Sequence, residues 1–256
     1  MLVLALSAVV TVPVVLIDSR TTAASAAYVA LGDSYSAGVG AERYSPSSGG
    51  CLRSPQSYVH QLGRRVASFR ACGGATTSDV LRRQLTAFPR DTRLVTITIG
   101  GNDAGFADVL NTCLFGASAD CDRSVDRAEQ FVRGGLPRRL RRVYEAIRER
   151  APRATVVVAG YPRLFARRPW CSSIGRLDER EQRRLNGGSD LLARTISAEV
   201  RRHRGFRFAD VRKAFNGHGV CSNAPQIRGV SHPGSYSFHP NVRGYTTYAR
   251  VIKRAL

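Results

Sequence analysis

Residues Tyr28 to Gly38 read YVALGDSYSAG. A short apolar run ends at Gly32, and Asp33, Ser34 and Ser36 follow within four positions. Such a segment is a buried strand that stops and turns at once into a helix start. The same pattern recurs along the chain. Arg93 to Ile99 (RLVTITI) is a β-branched strand ending in Gly100-Gly101, and Ala154 to Gly160 (ATVVVAG) is a third apolar strand. Ala67 to Cys72 and Arg204 to Asp210 (RGFRFAD) complete the set. Helical spacing is read over Ser57–Val66, Thr77–Phe88 (capped by Ser78 or Thr77), Leu136–Arg150, Leu177–His203 and Val242–Leu256. Strands alternating with helices predict an α/β fold whose parallel sheet is covered on both faces. Chemistry in such a sheet belongs at the carboxyl ends of the strands.

Composition sets the outer limits. The chain has 256 residues, 43% of them hydrophobic, enough for one core, and no internal repeat or long linker divides it. Residues 27–256 therefore read as one domain. Lys plus Arg number 39 against 19 for Asp plus Glu, a net charge of +20, and only Lys213 and Lys253 are lysines. That balance points to an anionic partner such as a phospholipid or cell-envelope surface. The arginines are scattered rather than gathered in a stripe, which disfavours nucleic acid.

Leu2 to Ile17 is an apolar run of signal-peptide size, and Ala24-Ser25-Ala26 is a small-residue cleavage pattern. Residues 1–26 are accordingly expected to be a leader, with a secreted chain starting at Ala27. No Lys or Arg precedes the run; an uncleaved anchor is the other reading, weakened by its length and by Pro13. Six cysteines without a CxxC pair, Cys51, Cys72, Cys113, Cys121, Cys171 and Cys221, suit an oxidising compartment and three disulfides rather than a zinc site. Fifteen connectivities are open.

Three strand ends and one loop carry the residues of interest. Ser34 is either a nucleophile at a helix start or, like Asp33, a helix cap. In Cys72-Gly73-Gly74-Ala75 the glycines make a turn or bring a backbone N–H close to a ligand. Asn102, after Gly100-Gly101, is a turn residue or a neutral side-chain donor. His239 lies in a loop before the last helix and is a candidate general base. His232, also followed by proline, competes with it, whereas His60 and His203 fall on helix surfaces and His218 has no further cue.

Taken in order, "ALGDSYSAG" (Ala30–Gly38), "GGATTSDVL" (Gly73–Leu81), "TIGGNDAGF" (Thr98–Phe106) and "SFHPNVRGY" (Ser237–Tyr245) resemble the blocks of the SGNH hydrolases, the GDSL esterase/lipase family. The resemblance spans nearly the whole mature chain. It implies a three-layer α/β/α sandwich with a flavodoxin-like central sheet, and hydrolysis of carboxylic esters through an acyl-enzyme on Ser34 with His239 as base. It also implies oxyanion donors in the N–H groups of Ser34 and Gly74 and the side chain of Asn102. The export signal and cysteines resemble the secreted actinobacterial lipase and phospholipase branch, which implies Cys51–Cys72, Cys113–Cys121 and Cys171–Cys221, and a monomer. Lipid or phospholipid esters are the implied substrates, with polysaccharide acetyl esters, or a silent basic envelope protein on the same fold, as the alternatives. The physical logic stands beside the name: a serine hydroxyl needs a base to accept its proton, and the tetrahedral oxyanion needs preorganised donors.

One departure is informative. The family pattern has Asp three residues before the histidine; here that residue is Tyr236, and no Asp or Glu occurs from Val211 to Leu256. A main-chain carbonyl, of Tyr236 or Ser237, is expected to orient His239 instead, with a folded-back Asp210 as the remote alternative. No G-x-S-x-G elbow, Walker loop, post-strand G-x-G-x-x-G, EF-hand or HExxH is present, so neither cofactor nor metal is expected.

Overall fold

The computed structural model describes residues 27–86, 88–89, 91–167, 171 and 177–256; the expected leader, residues 1–26, lies outside them. Strands β1 (Ala27–Gly32), β2 (Val66–Phe69), β3 (Thr92–Thr98), β4 (Thr155–Ala159) and β5 (Phe206–Ala209) form one parallel sheet in the order β2-β1-β3-β4-β5. This is the flavodoxin-like doubly wound order, whose switch point lies between β1 and β3. There Gly32 pairs with Thr98, so the residues following both strands leave the sheet side by side. All six residues of β1 are buried, as a strand covered on both faces requires.

Helices α1 (Ser34–Ala37), α2 (Tyr58–Gln61), α3 (Thr77–Asp79), α4 (Phe106–Phe115), α5 (Ser118–Gly134), α6 (Leu136–Arg150), α7 (Glu179–Val200) and α8 (Val242–Ala255) complete the layers. Helix α8 packs on α2, β4 and β5, while α5, α6 and α7 pack against one another. The apolar stripe of α6, Leu136, Leu140, Val143, Tyr144 and Ile147, is wholly buried, as its spacing demands.

Several boundaries differ from the sequence reading. The helix expected over Ser57–Val66 lasts only four residues, because Gly63 takes a left-handed φ of 70° and Val66 already belongs to β2. Beyond Phe69 the second strand still follows β1, with Arg70 N–H on Ala30 O and Cys72 N–H on Gly32 O. The cap of α3 is Thr76, not Thr77 or Ser78: its hydroxyl and Asp79 form a reciprocal capping box. The helix then widens into a π turn over Val80–Gln84 instead of running on to Phe88. That turn aims Gln84 at Gly32, whose N–H and carbonyl both bond its amide, at 2.7 and 2.9 Å. Asp178 caps α7 through a second capping box with Glu181.

Helices α4 and α5 went unread in the sequence. Apolar residues are sparse in α5, α4 is short, and neither helix starts with a side-chain cap. A disulfide between Cys113 and Cys121 staples them. Cys51 is bridged to Cys72 and Cys171 to Cys221, and no cysteine among the described residues is free.

Candidate active site

The site grows from the switch point. Asp33 follows β1 and caps α1, its carboxylate accepting from Tyr35 N–H at 3.0 Å and from the Thr98 hydroxyl at 2.6 Å. The capping reading thus holds for Asp33 and leaves Ser34 free for another task. The other carboxylate oxygen accepts from the Tyr161 hydroxyl, which in turn accepts Gly101 N–H at 3.2 Å. A buried carboxylate therefore ties the end of β1 to the loop after β3 through Tyr161. Burial pushes the Asp33 carboxyl up to about 6, against the pull of its Thr98, Tyr161 and Tyr35 donors.

Ser34 is the first residue of α1, and its Oγ lies 2.8 Å from His239 Nε2. The other ring nitrogen, Nδ1, lies 2.9 Å from the carbonyl of Ser237. A carbonyl only accepts, so Nδ1 carries the proton and Nε2 is the free lone pair facing the serine hydroxyl. Of the two carbonyls expected to hold the ring, that of Tyr236 is turned away and accepts His239 N–H instead, at 3.3 Å. Asp210 is a correction as well: it pairs with Arg212.

Phe238 explains the ring's orientation. It is a non-glycine residue at φ 60°, an uncommon conformation that turns the chain back on itself so that the ring of His239 reaches the carbonyl of residue 237. Its strain is held by a buried ring against Phe165 and by the Tyr35 hydroxyl on its carbonyl at 2.6 Å. Sequence reasoning did not single out Phe238, Tyr35 or Tyr161; only burial and backbone angle mark them. Tyr35 also lies against the imidazole, with centroids 5.1 Å apart. Gly40, at φ 90°, allows the histidine to approach: a Cβ there would sit 2.9 Å from the Cβ of His239. Arg228 ties the two segments, donating to Gly40 O at 2.7 Å and to Glu42. Burial lowers the His239 pKa to about 4, a shift that the Ser237 carbonyl only partly offsets, so the ring is neutral at neutral pH.

The three residues expected to donate to an oxyanion follow β1, β2 and β3. Neither the Ser34 N–H nor the Gly74 N–H bonds another described residue. Asn102 Nδ2 spends one hydrogen on Ala75 O at 2.9 Å, leaving its second free. That bond joins the loop after β3 to the Gly73–Ala75 turn. Among the other histidines, His232 is exposed, His218 bonds Ala224 O, and His60 is exposed against Phe69. His203, expected on the surface, is half-buried between Tyr144 and Phe206 and bonds Glu199.

Ser34 and Asn102 open onto a slot walled by Phe106, Val109, Leu110, Val132, Leu164 and Leu192. Its sides come largely from α4, α5 and α7, so the two unread helices share the wall with α7.

Comparison with known proteins gives a consistent answer. The model of the GDSL-like lipase/acylhydrolase family matches residues 30–247. A lipase of Streptomyces rimosus is 43% identical over 234 residues, covering 89% of this chain and 86% of the relative. The crystal structure of an extracellular lipase from Streptomyces rimosus superposes with a TM-score of 0.83 at 42% identity, over 90% of this chain and 99% of that one. That of phospholipase A1 from Streptomyces albidoflavus gives 0.85 at 43% identity, over 91% and 100%.

Proposed function

This chain belongs to the GDSL-like lipase/acylhydrolase family and is a serine hydrolase acting on esters, and we propose that it works through a Ser34–His239 dyad on acyl esters of lipid type. The observation that carries the reading is the 2.8 Å contact between Ser34 Oγ and His239 Nε2 at the mouth of an apolar slot. As Oγ attacks the acyl carbonyl, Nε2 takes its proton, and the carbonyl oxygen becomes an oxyanion facing the Ser34 and Gly74 N–H groups and Asn102 Nδ2. Collapse expels the alcohol, which receives the proton from His239. The same base then activates water to release the acyl group and restore the serine. The Ser237 carbonyl fixes the tautomer but carries no full charge to stabilise the imidazolium.

The apolar slot favours a lipid acyl chain over the acetyl group of a polysaccharide ester. Each buried methylene contributes about 0.8 kcal/mol, roughly fourfold in binding. In a panel of p-nitrophenyl esters, kcat/KM should rise at least about tenfold from acetate to octanoate. A preference for acetate would favour the polysaccharide reading. Three disulfides and the leader-like residues 1–26 support a secreted enzyme, and the +20 charge supports attraction to anionic membranes. A monomer remains part of the reading through the family resemblance.

A further inference from the structure

A second cavity, of about 550 Å³, lies beside the Gly73–Ala75 turn and is lined by Arg53, Arg70 and Arg83 as well as by Gly74. Its size is that of a small-molecule site, but its walls mix polar and apolar surface and carry three arginines, where the acyl slot is almost wholly apolar. Two of the arginines are conspicuous. Arg70 ends the extended stretch that follows β2, and the Cys51–Cys72 bridge lays the segment carrying Arg53 onto that strand end. Neither forms an ion pair with a carboxylate among the described residues. Arg53 spends one contact on Ala71 O at 3.4 Å; Arg70 spends two, on Ser68 Oγ and Thr86 Oγ1, both at 2.9 Å. A guanidinium has five donors, so most of theirs are unspent. Partial burial and the positive charge of Arg70 both lower the pKa of Arg53, as expected of two cations held near each other without an anion. Arg83 is half of an ion pair with Asp79, the one carboxylate lining the cavity among the described residues, which is also bound in the Thr76 capping box.

We propose that this cavity is a subsite for the phosphate of a glycerophospholipid, with Arg53 and Arg70 holding the phosphate while the acyl carbonyl meets Ser34. The inference rests on the ester-hydrolase reading above and adds a head-group determinant to it. Gly74, an oxyanion donor in that reading, lines the cavity, and Ala75 beside it is bonded to Asn102, which lines the acyl slot. One substrate thus spans both cavities, its acyl chain in the apolar one and its head group in the cationic one. Guanidinium pairs suit phosphate oxygens through parallel N–H donors, and the groups on the page leave those donors free.

The test uses the full chain with two substrates, a short-chain phosphatidic acid below its micelle concentration and p-nitrophenyl octanoate. The quantity read is the ratio of their kcat/KM values. For the Arg53→Gln, Arg70→Gln double variant the ratio is expected to fall about tenfold or more, largely through KM for the phospholipid. Arg153→Gln, which removes a charge at an exposed site, should leave the ratio unchanged. A wild type that cleaves the neutral ester but not phosphatidic acid overturns the proposal, as does an unchanged ratio in the double variant. Should the ratio hold while inorganic phosphate inhibits the neutral ester, the cavity is a free-phosphate site and the proposal fails. Neutral-ester activity that survives Ser34→Ala is a different failure, that of the underlying hydrolase reading.

Discussion

His239→Ala is expected to lower kcat by about four orders of magnitude or more, while His232→Ala leaves it unchanged. Without an acceptor the Ser34 hydroxyl keeps its proton through the attack: of the carboxylates lining the slot among the described residues, Asp33 has its oxygens filled by Tyr35, Thr98 and Tyr161, and Glu129, on α5, pairs with Arg133. Steady-state kinetics on a p-nitrophenyl ester checks both variants; equal losses would mean that the base is misassigned. The wild-type pH profile adds to this prediction. A general base must be neutral, and burial holds the His239 pKa at about 4 rather than the ordinary 6.5. The acid limb of kcat/KM should therefore fall well below 6.5, toward 4. A limb near 7 would indicate a carboxylate partner that raises the imidazole pKa.

Asn102→Ala should cost about 100- to 1,000-fold in kcat with little change in KM, the measured scale for losing one oxyanion donor. The substitution removes the free Nδ2 hydrogen and also the bond that steadies Ala75 beside Gly74. Both effects fall on the tetrahedral stage rather than on ground-state binding, so kcat carries the loss. A variant within about threefold of wild type would place the oxyanion elsewhere.

Much of this was legible because strand-to-helix junctions have strong sequence signals. The buried run Tyr28–Leu31 closed by Gly32, and Arg93–Ile99 closed by Gly100-Gly101, locate the two strand ends that flank the switch point. What lies between those ends was not legible. The Tyr161 hydroxyl that links Asp33 to Gly101 comes from 128 residues further along the chain, and no local pattern announces it. Gln84 reaches Gly32 only because α3 widens into a π turn, a hydrogen-bonding irregularity that apolar periodicity does not encode. The choice of Ser237 over Tyr236 depends on the left-handed Phe238, a conformation that a bulky residue adopts only under tertiary constraint. Helix α5 escaped because the residues facing the slot, such as Val125 and Val132, are too few among polar neighbours to reveal a period, and α4 because it is a short, mostly apolar run with no cap to mark its start.

Labelling with a fluorophosphonate, followed by peptide mapping, bears most directly on the dyad. Wild-type protein should take up one probe, recovered on the peptide containing Ser34, and folded Ser34→Ala should take up none. An adduct on any other residue, or a folded wild type that does not react, would contradict the assignment of Ser34 as the nucleophile.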